Sequence, residues 1–74
     1  MQSEAAKAEE RRLRALQRQA DRVEALLRSG GLTQPEQERL IAEVRAACRR
    51  LFPDKLHAFD LIYMPRFERA RARE

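Results

Sequence analysis

The stretch from Leu51 to Pro65 constrains the fold of this chain most strongly. It contains three of the four aromatic residues and two of the three prolines in the sequence. On a helical wheel its apolar residues spread over more than half of the circumference, leaving an arc occupied only by His57, Asp60 and Met64. A helix that is apolar on so many sides needs to be surrounded. We therefore expect a short helix at 54–64 that is enclosed by the longer helices or by a second chain.

A second chain is expected because the protein is small. A chain of 74 residues buries only about 60% of its unfolded surface, and scaffolds of this size usually add disulfides, a metal or a partner subunit. One cysteine and one histidine allow no internal disulfide and disfavour a metal cage. We therefore predict a homo-oligomer, specifically a dimer, with no metal and no cofactor. The predicted interface consists of the apolar residues of the short helix: Leu56, Phe59, Leu61, Ile62 and Tyr63.

Residues 1–29 contain no Gly or Pro and predict one long helix, at about 4–28. Its apolar residues recur every three or four positions and form a seam: Leu13, Leu16, Ala20, Val23 and Leu27. The first ten residues offer only alanines for packing. We expect residues 1–10 to fray or to project from the domain.

Clear stop and start signals follow the first helix. Gly30 and Gly31 favour a left-handed cap, and Thr33, Pro35 and Glu36 predict a capping box at the start of a second helix, at about 34–52. So short a loop predicts an antiparallel helical hairpin. The apolar face of the second helix comprises Leu40, Ile41, Val44, Ala47, Cys48, Leu51 and Phe52.

Two prolines delimit the third helix in this reading. Pro53 ends the second helix, and Pro65 is expected to end the third near residue 64. Beyond it, residues 66–74 predict either a short helix anchored by Phe67 or a basic tail. The sequence thus predicts a single all-α domain over 1–74: a long antiparallel helical hairpin plus a short apolar third helix, completed as a dimeric bundle.

Charge suggests a different kind of partner. The net charge is +4 and the pI is about 10.2, which is compatible with nucleic-acid binding. One stripe of the first helix, opposite the seam, could contact phosphates: Arg11, Arg14, Arg18 and Arg22. Pairing of Glu10 with Arg14 and of Glu24 with Arg28 would instead make a solvated, salt-bridged surface. No aromatic residue lies among these arginines to stack on bases.

Signals for catalysis are weak. His57 and Asp60 are three residues apart and could form a base–carboxylate pair, but no nucleophile, oxyanion hole or phosphate-binding loop accompanies them. Cys48 lies within an apolar face, where a free cysteine acts as a small hydrophobic residue. We expect no enzymatic activity and no catalytic residues.

The predicted function is a small non-enzymatic protein–protein interaction or adaptor module that self-associates; the alternative is an Arg-rich nucleic-acid-binding accessory protein. No apolar run approaches the roughly 18 residues of a membrane span, so we expect no membrane partner. A lone thiol and an N-terminus without an apolar signal segment favour the cytoplasm.

Overall fold

The computed structural model describes residues 3–72, which form three α-helices and one short 3₁₀ turn. The helices are α1 (Glu4–Ser29), α2 (Gln34–Leu51) and α3 (Leu56–Arg71), and the turn (Pro53–Lys55) precedes α3. No strand occurs within residues 3–72, so the all-α prediction is confirmed. The outermost parts of the two predicted terminal segments, residues 1–2 and 73–74, lie outside the described residues.

α1 begins at a serine cap and ends at a glycine. The Ser3 hydroxyl accepts a hydrogen bond from the backbone N–H of Ala6 at 3.1 Å, and Gly30 adopts a left-handed conformation with φ 81°. Its 26 residues make it about 39 Å long, against about 27 Å for the 18 residues of α2. The first turns of α1 are helical from Glu4 onward and are largely exposed to solvent.

The predicted capping box at the start of α2 is present. The Thr33 hydroxyl accepts from the Glu36 N–H at 3.3 Å, and the Glu36 carboxylate accepts from the Thr33 N–H at 2.8 Å. The hydrogen bond from the Thr33 backbone N–H is the main reason that the pKa of the Glu36 carboxyl is lowered. At the other end, the Phe52 N–H donates to the Cys48 carbonyl at 2.7 Å before the chain enters the 3₁₀ turn. Local chemistry therefore sets both ends of α2.

α3 continues through Pro65, so the prediction that it ends near residue 64 is wrong. Residues 66–71 are its last turns, neither a separate helix nor a tail. Pro65 removes one helical hydrogen bond, to the Leu61 carbonyl, and a proline inside a helix costs about 3 kcal/mol. Pro65 lies on the exposed side of α3, as does Leu61. Continuation buries Phe67 completely, and a buried Phe contributes about 1.5–3 kcal/mol, to which Ala70 and Arg71 add their own contacts.

One apolar core lies where the three helices meet, and each pair of helices is in contact. The four predicted seam residues from Leu16 to Leu27 are buried, whereas Leu13 is partly exposed. The buried apolar side chains are Leu16, Ala20, Val23, Leu27, Ile41, Val44, Ala47, Cys48, Phe52, Phe59, Phe67 and Ala70. Within residues 3–72 no helix combines the length and the hydrophobicity needed to cross a membrane.

Candidate functional site

The inner face of α3 carries a row of three aromatic rings against the core. The Phe59 and Tyr63 ring centroids are 4.8 Å apart, and those of Tyr63 and Phe67 are 6.0 Å apart. Phe59 is only 5% exposed, so this member of the predicted interface is covered within one chain. Leu56 and Tyr63 are half-buried and pack against the core. Three of the five predicted interface residues therefore belong wholly or partly to the interior of the monomer.

The outer face of α3, opposite the aromatic row, is apolar as well. Leu61 is 65% exposed and Ile62 is 57% exposed, and both were predicted interface residues. Ala58 and Pro65 are also exposed, and the four positions follow the i, i+3, i+4, i+7 spacing of a single helix face. Single exposed leucines are ordinary, but a contiguous apolar face points to a binding surface. We call Ala58, Leu61, Ile62 and Pro65 the outer face.

A groove between α1 and α3 extends the outer face. Its volume is about 340 Å³, and Leu13 of α1 stands on one side with Ala58 and Ile62 on the other. Leu13, predicted as a seam residue, is 41% exposed because it lies at the edge of this groove. The remaining lining residues are Leu16, Gln17, Cys48, Phe52, Lys55, Phe59 and Tyr63.

Cys48 lies at the base of the groove and is 1% exposed. Burial raises the pKa of its thiol, so the neutral form is favoured. This is the behaviour of a small hydrophobic residue, as the sequence predicted, and the opposite of a reactive thiolate. Within residues 3–72 no group of three or more His, Cys, Asp and Glu side chains is arranged to hold a metal ion.

A bidentate salt bridge joins one edge of α3 to α2. The Arg45 Nε and Nη2 atoms each donate to the Asp60 carboxylate at 2.8 Å. This bonding to Arg45 is the main reason that the pKa of Asp60 is lowered. Asp60 is therefore a structural partner of α2, whereas sequence reasoning considered it beside His57. Arg45 was not singled out, because its partner is fifteen residues away in the chain and on another helix.

The opposite edge of α3 is held on α1 by Arg66. Its Nη2 lies 2.7 Å from a Glu24 carboxylate oxygen and 3.8 Å from Asp21, while its guanidinium lies 5.1 Å from the centroid of the Tyr63 ring. Nearer the C-terminus, Arg71 donates to Gln37 of α2 at 3.0 Å. With both edges bound to neighbouring helices, the outer face is directed away from the core.

The arginine stripe of α1 is exposed along its whole length: Arg11, Arg14, Arg18 and Arg22. Arg14 pairs with Glu10 at 2.9 Å, as the sequence predicted, and Glu24 pairs with Arg28 at 2.6 Å. Among the described residues, Arg11, Arg18 and Arg22 form no ion pair. Three guanidiniums of the stripe are thus available to an anionic partner.

Comparison with models of protein families, with curated proteins and with solved structures found no match to this chain. Function therefore has to follow from the surfaces of the molecule itself. Two surfaces have the required chemistry: the outer face of α3 with its groove, and the arginine stripe of α1. They lie on different helices and suit different partners.

Proposed function

We propose that this protein is a small, non-enzymatic interaction module that self-associates through the outer face of α3. Each copy contributes the hairpin of α1 and α2 together with α3, and two copies complete a helical bundle. The supporting observation is the exposure of Leu61 and Ile62 beside the open groove at Leu13. Because Cys48 is a free thiol, the proposal includes a reducing, cytoplasmic setting.

Leu61 and Ile62 supply part of the free energy that a dimer needs. Full burial of a Leu or Ile side chain contributes about 1.5–3 kcal/mol, and a two-fold contact would bury four of them. Part of each side chain is already covered, and association costs at least about 4 kcal/mol in lost freedom of motion. At their observed exposure the four side chains contribute roughly 4–7 kcal/mol, which leaves at most about 3 kcal/mol after this cost, whereas a micromolar dimer needs about 8 kcal/mol. The rest has to come from covering the groove beside Leu13 and the small residues Ala58 and Pro65. A second copy also supplies the additional buried area that so short a chain otherwise lacks.

Sedimentation equilibrium across the micromolar range tests this proposal. We expect the mass to rise with concentration toward twice the 8.7 kDa of the monomer. Leu61→Gln should hold the protein at the monomer mass over the same range. Leu26→Gln is the matched control, because Leu26 is an exposed leucine of α1 that does not line the groove. A wild-type mass of 8.7 kDa at every concentration would overturn self-association.

A second candidate function, nucleic-acid binding, is supported by the three arginines without ion pairs on α1. Arg11 to Arg22 extend over about 16 Å of helix, a length that can follow several phosphates. The regular spacing and the absence of aromatic residues suit backbone contact without recognition of bases.

Gel retardation on generic duplex and single strands at several salt concentrations tests the second candidate. Binding through this stripe should weaken linearly in log salt, and changing all four arginines of the stripe to Gln should flatten the slope by nearly one unit per lost contact. A matched variant changes four other exposed arginines: Arg12, Arg39, Arg49 and Arg50. Equal effects of the two variants, or no binding by the wild type, would exclude a role for the stripe.

A further inference from the structure

We infer that two copies pair with their α3 helices parallel, so that an acidic row of one copy meets a basic row of the other. The inference rests on the proposed self-association and specifies its geometry. The acidic row consists of Asp54, Leu61 and Glu68. The basic row consists of Lys55, Ile62 and Arg69. Each row has an exposed aliphatic residue at its centre and a charge of one sign at both ends.

Helix geometry places the two rows side by side. Within α3, residues seven apart fall within about 20° of one another, so Leu61 and Glu68 lie along one nearly straight row and Ile62 and Arg69 along the other. Lys55 lines the groove together with Ala58 and Ile62, which confirms that the basic row lies on the groove side. Leu61 and Glu68 lie on the other side of the Ala58–Pro65 line. Asp54 lies seven residues before Leu61, in the 3₁₀ turn, and we assign it to the end of the acidic row from that spacing.

The line between the rows suits close approach of two helices. Ala58 and Pro65 are themselves seven residues apart, both are exposed, and neither carries a long side chain. The aromatic row lies on the other side of the helix, in the core, so it takes no part in this contact. On the basic side the approach is bounded by α1, whose Leu13 lies across the groove from Ile62.

Symmetry then decides which charges meet. In a two-fold pair with parallel helices, one flank of a helix contacts the opposite flank of its copy at the same height. Asp54 then faces Lys55 of the second copy, and Glu68 faces Arg69. In an antiparallel pair the same flank meets itself, so Asp54 would face Glu68 and Lys55 would face Arg69. The antiparallel arrangement thus brings like charges together, and the parallel one brings opposite charges together.

The charges of both rows are available for such contacts. Within residues 3–72, Asp54, Lys55 and Arg69 form no ion pair, and all three are exposed. Glu68 has a single long contact, 3.4 Å to Arg71, which leaves its other oxygen free. Both signs on one surface are what a self-complementary patch requires.

Charge reversal distinguishes the two orientations, because its effects have opposite signs. In the parallel pair, Asp54→Lys and Lys55→Glu should each raise the dimer dissociation constant about three- to tenfold, since each creates two like-charge contacts. The double variant carrying both changes restores opposite charges and should return to the wild-type value. In an antiparallel pair each single change would instead tighten the dimer. Tightening, no change, or failure of the double variant to recover would overturn the parallel arrangement.

Charge reversal near the start of α3 could disturb folding. The same two single variants and double variant are therefore made at the other end of the helix, with Glu68→Lys and Arg69→Glu. Sedimentation equilibrium measures all the variants. A wild type that remains monomeric would overturn the proposed function itself. If the wild type dimerises but either set of charge-reversal variants departs from the expected changes in dissociation constant, only the parallel orientation is overturned.

Disulfide trapping tests the geometry without altering charge. In a Cys48→Ala background, Ala58→Cys should form a disulfide between copies, because parallel pairing places position 58 beside itself across the axis. An antiparallel pair centred on Leu61 and Ile62 would separate the two positions by about 10 Å along the helix, beyond the roughly 7 Å that a disulfide spans. Ala25→Cys, exposed on α1, is the control. Equal trapping of the two variants, or none at position 58 in a dimer, would contradict the parallel pair.

Discussion

The two faces of α3 are similar in hydrophobicity but differ in position. The inner face carries three stacked aromatic rings and lies in the core. The outer face carries two aliphatic side chains and two small residues, and it lies in solvent. Large rings fill the space between three helices, whereas small and aliphatic side chains suit the flat contact of two helices. The difference indicates that side-chain volume, more than polarity, determines which face of an apolar helix enters the monomer core.

Charged residues at the edges of α3 support that choice of face. Asp60 accepts hydrogen bonds from Arg45 on one edge, and Arg66 forms an ion pair with Glu24 on the other. Rotation of α3 to bury Leu61 would break both contacts and place these charges against apolar side chains. The edge contacts therefore favour the same rotation of the helix as the packing of the aromatic row.

The largest expected effect is on the inner face. Phe67→Ala should cost about 3–5 kcal/mol, because the ring is fully buried and leaves a cavity. Phe59→Ala should fall in the same range, which approaches the whole stability of so small a domain. Urea melts measure both, with Ile62→Ala on the outer face as the control. If Phe67→Ala hardly changed the free energy of unfolding, packing in the core would not be what separates the inner face from the outer face.

Pro65→Ala should stabilise the monomer by about 1–3 kcal/mol. Alanine restores the hydrogen bond from position 65 to the Leu61 carbonyl and removes the ring that opposes helical geometry. Thermal melts at a concentration that keeps the protein monomeric report this effect. A loss of stability would show that the Pro65 ring makes contacts within one chain that its exposed position does not indicate.

Asp60→Ala should lower the free energy of unfolding by about 1 kcal/mol. A bidentate Arg–carboxylate pair stabilises a fold more than an ordinary surface ion pair does. Arg45 lowers the pKa of Asp60 in the folded state. The salt bridge therefore contributes fully to folding stability above the unfolded pKa of about 3.9, and this contribution is lost as the pH falls through the folded pKa. The stability difference between wild type and variant should be constant near neutral pH and shrink below about pH 4. His57→Ala, at an exposed position three residues away, should stay within about 0.5 kcal/mol throughout. A stability difference between wild type and Asp60→Ala that persists at low pH would show that the effect does not come from the ion pair.

The smallest expected effect on folding is at Leu61. Leu61→Gln should change the stability of the monomer by no more than about 0.5 kcal/mol, because the side chain is mostly in solvent. Melts at low concentration should therefore match the wild type even though self-association is lost at higher concentration. Strong destabilisation of the dilute monomer would show that the outer face also supports the fold of one chain.

The sequence by itself determined where α1 and α2 begin and end. Ser3, Gly30 and the Thr33–Glu36 capping box act through hydrogen bonds that join residues at most a few positions apart. The apolar seam of α1 was predictable from the sequence as well, because the spacing of apolar residues along one helix does not depend on neighbouring helices. The apolar character of α3 was evident too, including Leu61 and Ile62 as candidate contacts.

Only the tertiary structure decided how α3 is used. Its continuation through Pro65, the burial of Phe67 and the Arg45–Asp60 salt bridge all depend on groups supplied by other helices. A helical wheel places apolar residues on both sides of α3 and cannot say which side is inside. That choice follows from the volume left between α1 and α2 and from the positions of Arg45 and Glu24, which are set only when the three helices pack together.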